Sequence, residues 1–575
     1  MYISEIKEIK NYRNLSEKEV SFDKSLNFII GENNIGKTNI LELINILFGV
    51  GKFAESDFNN VLEPIRVVIT IKYEDEAIGF FEDNFDVDDS NAITLIAKQD
   101  SIEERIIYYH DTPNLTKISS SIIRKLNVVY YYAQRMPSKE IDFRKTSGSG
   151  RVLNYLIQKS LSNTGIEEKD VLNRSSIDNV IADINKSIKS INSITGDSIN
   201  AYLDPVMDKI ICRILMLGDE NGREIGSLGE GIQYAFNILL QIIDKIYNVK
   251  ITRKPEEFNE RLLQINGKKL FPIFLILDEP EIHQHPYRQR SLMKKIERIM
   301  NNDNEEFILL LQELFEVDGL IGQIFIATHS PNILLNDYKQ FVRIYKKHAS
   351  SEIDIISGQN IELDNKLVKH MLHNYLYLKE AMFSKCIIFV EGDTENGALP
   401  VFAKRKKLDL DYSGIGVVKL DGADSVIPCM QLYSEFGIKA MAIIDRDKES
   451  SYGGKENVYF TKEMDYEEDV YSSFELIDYL KCCKELEMLK GMISSIKQKC
   501  LDIDANFDAN SFLEDPENAM KEINLDSKTK EDIMSSQKDK QLEKLKSSKN
   551  ASKGAVLAEY VTTIPKAFDE LIDLL

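Results

Sequence analysis

Short apolar runs separated by polar turns fill the first 135 residues and predict β-strands, because their β-branched and aromatic residues suit a sheet. The clearest of these runs are IRVVITIKYE (65–74), ITLIAKQ (93–99), RIIYYH (105–110) and NVVYYYAQ (127–134). One helix is predicted among them, directly after an apolar strand at 26–30. Residues 151–215 are instead rich in Ser and Asn and have a helical period, as in NVIADINKSIKSINSI (179–194). This segment predicts a helical insertion.

Strand patterns return after the insertion, and a second α/β pattern follows them. The segment KLVKHMLHNYLYLKEAMF predicts a helical connector, and a new series of apolar strands begins at CIIFVEG (386–392). The last hundred residues are charged and predict helices. We therefore expect an α/β protein with these regions: 1–150 and 216–360 as two lobes of one domain, 151–215 as the insertion, 361–384 as the connector, and 385–575 as a second domain with a helical C-terminal region.

Composition narrows the class of protein. Of the 575 residues, 29% are charged and 43% hydrophobic, as in soluble globular proteins. No apolar run approaches the ~20 residues that span a membrane, and the alternating N-terminus MYISEIKEIK predicts a strand and not a signal peptide. The six cysteines form no CxxC pair, so neither a zinc ribbon nor a disulfide framework is predicted. A reducing cytoplasm is the expected location.

The net charge of −21 argues against a protein that coats nucleic acid, because neutralisation of phosphates drives nonspecific binding. The net charge is still compatible with local basic patches and with carboxylates that bind metal ions.

The stretch SLNFIIGENNIGKTNILEL carries the first chemical motif. It follows the Walker A pattern from Gly31 to Gly36, with Lys37 and Thr38 opening a helix. In such a loop the backbone N–H groups surround phosphate oxygens, the lysine adds a positive charge and the threonine hydroxyl binds Mg²⁺. Asn34 and Asn39 belong to the same candidate ATP site. The alternative is a glycine turn that only joins a strand to a helix.

Two further strands end in polar residues suited to nucleotide chemistry. FPIFLILDEPEIHQHP (271–286) is an apolar strand that ends in Asp278 and Glu279. Ligands bind at the carboxyl ends of strands in open α/β sheets; there Asp278 would hold the Mg²⁺ shell and Glu279 would orient or deprotonate the attacking water. QIFIATHSP (323–331) ends in His329, which can reach the γ-phosphate. The alternatives are an acidic turn and a structural histidine.

In SLGEGIQYAF (227–236), Ser227 and Gly229 lead into a helix whose N-terminus can meet phosphate. Together and in this order, the four motifs resemble the ABC-type ATPase heads of SMC-like repair proteins. The resemblance implies Arg13, in IKEIKNYRNL, beside the nucleotide and Gln134 as the Q-loop residue. SLGEGIQ departs from the usual L-S-G-G-Q signature. In such heads the signature of one protomer completes the site of another, which implies a homodimer or a higher homo-oligomer, held together by the helical insertion.

A second group of carboxylates follows in the C-terminal part. CIIFVEGDTE (386–395) is an apolar strand ending in Glu391, with Glu395 one helical turn later, and IKAMAIIDRDKES (438–450) ends in Asp445 and Asp447. Between them, VVKLDGADSV (417–426) supplies another strand. Three parallel strands would bring four carboxylates together, and these would repel one another unless divalent cations lie between them. The alternative is an unrelated Rossmann-like domain with acidic turns.

The strand–E–G and strand–D-x-D motifs resemble the Toprim domain. An ABC-type head followed by a Toprim domain resembles the OLD (overcoming lysogenization defect) nucleases, a family that includes the Gabija phage-defence nuclease and retron-associated effectors. The resemblance implies two-metal DNA cleavage with Glu391, Glu395, Asp445 and Asp447 as ligands. In MDYEEDVY (464–471) it implies Glu467 as a further ligand, with Asp465 as the next candidate, and in SKGAVLAEY it implies Lys553 as the lysine at the scissile phosphate.

A basic stretch precedes Lys553, and it either follows the DNA backbone or forms a solvated face. Its lysines are Lys538, Lys540, Lys544, Lys546 and Lys549.

These resemblances imply an ATP-regulated DNA endonuclease that uses Mg²⁺ or Mn²⁺, takes part in antiphage defence and works beside a helicase or a retron nucleic acid. The alternative is an ATP-driven nucleic-acid sensor whose Toprim domain binds without cleaving. An RNA-cutting or topoisomerase-like enzyme fits less well, because a topoisomerase needs a nucleophilic tyrosine in a separate DNA-gate domain and none is apparent.

Overall fold

A computed structural model describes residues 1–73, 75–82, 84–133, 135–164, 178–185, 211–213, 215–282, 284–335, 337–347, 352–362, 375–420, 422–523 and 525–575. The chain divides into two compact units. Met1–Ile29, Asn34–Leu335 and Gln340–Ile355 form the first, and Ile356–Leu575 forms nearly all of the second. Among the described residues no helix is long and apolar enough to cross a membrane.

Strands dominate the first part of the chain, as the alternating pattern predicts. They are β1 (Tyr2–Lys10), β2 (Val20–Ser21), β3 (Leu26–Gly31), β4 (Ile65–Lys72), β5 (Ala92–Gln99), β6 (Ile107–His110), β7 (Lys117–Ile118), β8 (Asn127–Tyr131), β9 (Leu263–Ile265), β10 (Lys268–Asp278), β11 (Gly319–Ala327), β12 (Phe341–Lys346) and β13 (Ile353–Ser357). The helices of this part are α1 (Lys37–Asn45), α2 (Ser120–Ile123), α3 (Pro137–Glu140), α4 (Ser149–Thr164), α5 (Glu230–Ile251), α6 (Pro255–Asn259), α7 (Pro286–Met300) and α8 (Glu305–Phe315).

The described strands of this part form two sheets. One is antiparallel, in the order β2-β1-β4-β5-β6-β7, and the other has the order β13-β12-β3-β11-β10-β8, with β9 pairing to β10. In the second sheet β3, β11, β10 and β8 run parallel. The central strands β3 and β10 are buried along nearly their whole length, as parallel strands covered on both faces are. Their carboxyl ends therefore lie at one edge of the sheet.

The predicted insertion at 151–215 lies largely outside the described residues. Helix α4 covers its beginning and contacts α5. The region boundaries and the dimerisation role of the insertion stay predictions.

The second unit combines a small parallel sheet with many helices, as its sequence predicts. Its strands are β14 (Cys386–Val390), β15 (Ile415–Lys419), β16 (Lys439–Ile444) and β17 (Val458–Phe460), in the sheet order β15-β14-β16-β17. Its helices are α9 (Tyr375–Ala381), α10 (Asp393–Arg405), α11 (Leu410–Ser413), α12 (Ala423–Glu435), α13 (Glu449–Tyr452), α14 (Tyr466–Ser472), α15 (Leu476–Glu485), α16 (Leu489–Ile503), α17 (Ala509–Glu514), α18 (Pro516–Ile523), α19 (Ser527–Lys546), α20 (Ala551–Tyr560) and α21 (Lys566–Asp573). The C-terminal helices share one hydrophobic core with the sheet.

Two glycines let α10 and α20 approach each other closely. A Cβ atom on Gly397 would lie 1.9 Å from the carbonyl oxygen of Ala551, and one on Gly554 would lie 1.9 Å from that of Thr394. Both positions meet backbone atoms, which cannot move aside as a flexible side chain can. This contact sets the position of α10, which carries Glu395.

We expect Gly397→Ala to lower the free energy of unfolding of the second unit by about 1–3 kcal/mol, since overpacking forces the two helices apart. Chemical denaturation followed by circular dichroism measures the change. Gly79→Ala is the control, because its added Cβ would have no heavy atom within 4 Å. Equal stability of the two variants would contradict the close-packing argument.

Candidate functional site

Three of the four predicted nucleotide motifs meet at the carboxyl edge of the larger sheet in the first unit. Gly31 is the last residue of β3, and Lys37 is the first residue of α1. A cavity of about 400 Å³ is lined by Asn14, Asn34, Ile35, Gly36, Lys37, Thr38, Asn39, Asp278, Glu279, Ala327 and His329. The structure therefore brings the loop residues, both acids of β10 and the histidine together.

Asn14 holds the phosphate loop in shape, and the sequence analysis missed it. Its side-chain amide donates a hydrogen bond to the carbonyl of Ile35 at 2.8 Å and accepts one from Asn39 at 2.6 Å. Gly36 has φ of +108°, and a Cβ there would lie 2.5 Å from the Asn14 amide nitrogen. A glycine is required at this position for both reasons. The polar segment NYRNL after β1 was the only signal for Asn14.

Asp278 lies where negative charge accumulates. Burial raises its pKa to about 6, and the charges of Glu279, Glu42 and Glu281 add to this effect, while Lys37 opposes it. Such a half-buried carboxylate, opposite the Thr38 hydroxyl in the same cavity, suits a hard cation with oxygen ligands. The residues thus fit Mg²⁺.

Glu279 and His329 form a pair beside Asp278. The Glu279 carboxylate lies 3.3 Å from Nε2 of His329. Burial and the charge of Lys37 lower the pKa of His329, which favours the neutral imidazole. Glu279 also adopts φ of +48°, a left-handed conformation uncommon outside glycine. The peptide N–H of Glu279 donates to the carbonyl of Ala327 at 2.9 Å, which fixes this turn.

Glu281 is a second residue that the sequence analysis missed. Its carboxylate accepts hydrogen bonds from the Thr328 hydroxyl at 2.6 Å and from the His329 peptide N–H at 2.8 Å. It therefore ties the end of β10 to the end of β11 and positions the histidine. The acidic segment DEPEIH contained the residue, but nothing local distinguished it from a solvated turn.

Arg13 lies behind the loop and does not line the cavity. Its guanidinium donates to Asn39 at 2.7 Å and to Asp57 at 2.8 Å, and it pairs with Glu42. Arg13 thus contacts the predicted site through Asn39, a cavity-lining residue.

The signature residues Ser227 and Gly229 do not line the cavity of their own chain. Gly229 is the N-cap of α5, and the Ser227 side chain is exposed. Gln134 lies outside the described residues.

The acids of the second unit also lie at the carboxyl edge of a parallel sheet. Val390 pairs with Ile443, so Glu391 follows β14 where Asp445 follows β16. The Glu391 carboxylate accepts a hydrogen bond from the Asp445 peptide N–H at 2.9 Å. Asp447 follows in an exposed turn, and its charge contributes to the raised pKa of Glu391, for which burial is the main cause.

Burial and mutual repulsion favour protonation of these carboxylates. Burial raises the pKa of Asp445 to about 8, and the charges of Glu395, Glu391 and Asp465 add to it. Burial together with Glu467 raises the pKa of Glu395 to about 7. A set of buried oxygen ligands whose charges are not balanced fits Mg²⁺ or Mn²⁺.

The expectation of a tightly packed cluster needs correction. Within the part of the chain that the structure describes, no group of three Asp, Glu, His or Cys side chains is arranged so that it could hold a metal ion. Glu391, Glu395 and Asp445 instead face one another within electrostatic range.

Thr394 joins two buried acids of the candidate site, Glu395 and Glu467, and the sequence analysis missed it. Its hydroxyl lies 3.1 Å from Glu395 and 3.0 Å from Glu467, and all three side chains are buried. Because a hydroxyl has one proton to donate, it serves one carboxylate at a time. Thr394 stands beside Glu395 in the EGDTE motif, which was the available signal.

Lys549 is the lysine that reaches the acids. Its Nζ donates to Glu467 at 2.7 Å. Burial lowers the pKa of Lys549, but the bond to Glu467 and the charges of Glu395 and Asp465 raise it overall. The neighbouring Lys546 pairs with Asp465 at 2.7 Å and with Glu468 at 2.8 Å. These two lysines balance part of the acidic charge.

Lys553 has different partners from those that the family resemblance implies. Its buried Nζ donates to the carbonyls of Lys544 at 2.9 Å, Leu545 at 2.7 Å and Ser548 at 3.3 Å. In this conformation it satisfies carbonyls at the C-terminal end of α19, as basic side chains often do. Its role at the scissile phosphate stays a prediction, and Lys549 is the better-placed candidate.

The raised pKa values predict how stability depends on pH. Between pH 4 and pH 8 the folded chain retains a proton on Asp445 that the unfolded chain releases, so stability falls as pH rises through this window. We expect the melting temperature of the metal-free protein to fall between pH 5 and pH 8, less steeply in Asp445→Asn, and to recover when Mn²⁺ is added. A melting temperature that rises over this range would contradict the raised pKa.

Comparisons with known proteins agree with this arrangement. The AAA ATPase domain family matches residues 1–147 and 138–334, more than half of the chain, and the overcoming lysogenization defect protein-like TOPRIM domain matches residues 382–447. The Old nuclease of Escherichia phage P2 is 21% identical over 73% of each chain. Endonuclease GajA of Bacillus cereus (strain HuB5-5) is 23% identical over 77% of this chain and 73% of its own.

Among solved structures, the C-terminal region of the Burkholderia pseudomallei OLD protein is 17% identical over 33% of this chain and 96% of its own, with a TM-score of 0.18. Because the AAA ATPase domain model matches more than half of the chain, the chain belongs to the AAA ATPase domain family, and its residues 382–447 match the OLD-like TOPRIM domain.

Proposed function

We propose that this protein is an ATP-binding and ATP-hydrolysing DNA endonuclease that depends on a divalent metal. The observation that carries the proposal is the set of mutually repelling carboxylates of Glu391, Glu395 and Asp445 in the OLD-like TOPRIM domain, of which Glu395 is buried and the other two are half-buried. A site built only to bind nucleic acid would present lysine and arginine instead. Two relatives that cover most of the chain are named as nucleases.

In the TOPRIM domain Glu391, Glu395, Asp445, Asp447 and Glu467 would hold the metal. When bound, a pair of cations supplies an activated water and charge stabilisation for the leaving oxygen. The chain's own groups prepare this site. The Thr394 hydroxyl orients Glu395 or Glu467.

Lys549 supplies the positive charge next to these acids. In the structure its ammonium pairs with Glu467. When DNA binds, the same ammonium can turn to the scissile phosphate. Lys553 supports the helix end from which Lys549 extends.

In the ATPase domain Lys37 binds the phosphates, and Thr38 with Asp278 would hold Mg²⁺, which supplies neutralisation of the phosphate charge. Glu279 orients the attacking water and accepts its proton. The neutral His329 keeps the Glu279 carboxylate in place at 3.3 Å. Ser227 and Gly229, which lie away from their own cavity, complete the site of a second protomer, so the active form is a homodimer or a higher oligomer.

We further propose that the nucleotide state gates DNA access to the TOPRIM site, and that the enzyme acts in antiphage defence in the cytoplasm. One relative is named endonuclease GajA, and this name together with the resemblance to the Gabija nuclease supports a defence role. A helicase or a retron nucleic acid is the proposed partner. Deletion of a neighbouring helicase or retron gene, followed by phage challenge, tests this assignment: unchanged protection would contradict it.

A sensor that binds nucleic acid without cutting is the second candidate. The absence of a ready-made three-ligand metal group among the described residues favours it. The raised pKa values of Asp445 and Glu395 argue against it. Neighbouring carboxylates that never bind a cation would lower the stability of the folded protein without any compensating gain.

Glu391→Ala and Asp445→Ala should each reduce cleavage of DNA by at least about 100-fold with Mg²⁺ or Mn²⁺, because the loss of groups that merely support a ligand already costs about 10–100-fold. Gel assays on supercoiled and linear DNA measure the rate. Glu435→Ala, an exposed acid on α12, is the control and should cut normally. Full activity of both test variants would refute the metal assignment.

Lys37→Ala should abolish ATP turnover and any change of mass that ATP causes in light scattering. If DNA cleavage also changes, in either direction, the two domains are coupled. Loss of turnover in a chain that cuts no DNA at all would favour the sensor. A mass that stays monomeric with and without ATP would contradict the proposed dimer.

A further inference from the structure

Among the described residues, a buried hydroxyl on the sheet that carries Asp278 has no hydrogen-bond partner, although its residue does not itself line the nucleotide cavity. The Tyr130 side chain on β8 is 7% exposed, and within the described part of the chain its hydroxyl oxygen makes no hydrogen bond. Buried polar groups are nearly always paired, because an unpaired one loses its contacts with water and gains nothing in return. Phenylalanine would fill nearly the same space without burying an unpaired polar group, so packing alone does not explain the hydroxyl.

The register of the sheet places this hydroxyl on the face that carries Asp278. Tyr130 pairs with Ile276 in the parallel strands β8 and β10, so its side chain points to the same face as Ile276 and, two residues on, Asp278. The same face is covered by the chain segment that follows α1, where the Phe48 ring packs 5.2 Å from the ring of Phe274. The Tyr130 side chain thus lies between the sheet and this segment.

The charged neighbours of the hydroxyl are acids. Burial raises the pKa of Tyr130, and the charges of Asp278 and then Glu42 raise it further, with smaller effects from Tyr132 and Tyr12. Glu42 extends from α1 and is held by Arg13. The hydroxyl is hydrogen-bonded to neither carboxylate, and it retains the capacity to accept a hydrogen bond from a donor such as water.

The adjacent tyrosines show that the unpaired state belongs to Tyr130 and not to the segment. The Tyr131 hydroxyl lies 3.4 Å from the side-chain amide of Asn237. Tyr132 stacks on Tyr130 with 4.0 Å between ring centroids, but it is 45% exposed and can be hydrated.

We propose that Tyr130 is a positioning residue for the divalent cation of the nucleotide. Its hydroxyl accepts a hydrogen bond from water held by that cation, so it gains a hydrogen-bond partner only when Mg²⁺ and nucleotide are bound. The inference rests on the proposed ATP site and adds a residue outside the Walker, signature and histidine motifs.

The test is Tyr130→Phe in the full-length protein, with Tyr132→Phe as the matched control. Without ligand, Tyr130→Phe should melt about 2 °C higher than the wild type, because an unpaired buried hydroxyl is removed. With Mg²⁺ it should bind a fluorescent ATP analogue about 10-fold more weakly. In EDTA the two proteins should bind the analogue equally. Tyr132→Phe should match the wild type in all three measurements.

Two results would overturn the inference while leaving the ATP site intact. One is a lower melting temperature of ligand-free Tyr130→Phe, which would show a structural hydrogen bond. The other is unchanged Mg²⁺-dependent binding in that variant. Failure of the wild type itself to bind the analogue, with Lys37→Ala indistinguishable from it, would overturn both this inference and the proposed ATPase.

Discussion

Repulsion between carboxylates at the ends of parallel strands is the constraint on which both sites depend. Parallel strands bring their carboxyl ends to one edge, so an acid that follows each strand must lie near the next acid. Burial is the main cause of the raised pKa values of Asp278 in the first unit and Asp445 in the second, and the charges of neighbouring carboxylates raise both further. Folding therefore places carboxylates where their charges are unfavourable and where a bound cation would neutralise them. The same physical arrangement serves two different chemistries, one on a nucleotide and one on a phosphodiester.

Hydrogen bonds made by side chains that were not among the predicted site residues hold these charged groups in place. Asn14 shapes the phosphate loop, Glu281 joins the ends of two strands, and Thr394 lies between Glu395 and Glu467. None of these contacts is strong alone, since a single hydrogen bond contributes about 0.5–1.5 kcal/mol. Their value lies in geometry, because cation binding and proton transfer both require oxygens at defined positions.

The close approach of α10 and α20 adds a different kind of support. Gly397 and Gly554 allow backbone to meet backbone, so the helix that carries Glu395 is fixed against a C-terminal helix. The charged C-terminal region is therefore part of the acidic site. Its lysines offset locally a chain whose net charge is −21, and Lys549 brings a positive charge to the buried Glu467.

Local patterns in the sequence determined the strands, their order and the acids at their ends. An apolar run followed by an acid identifies a buried strand and its tip, so Asp278, Glu391 and Asp445 could be placed without coordinates. Only the tertiary structure decided which side chains support them. Lys549 and Glu467 are 82 residues apart, and their contact depends on how the C-terminal helices pack, which periodicity does not encode. For the same reason the partners of Lys553 and the unpaired hydroxyl of Tyr130 become visible only once the chain is folded.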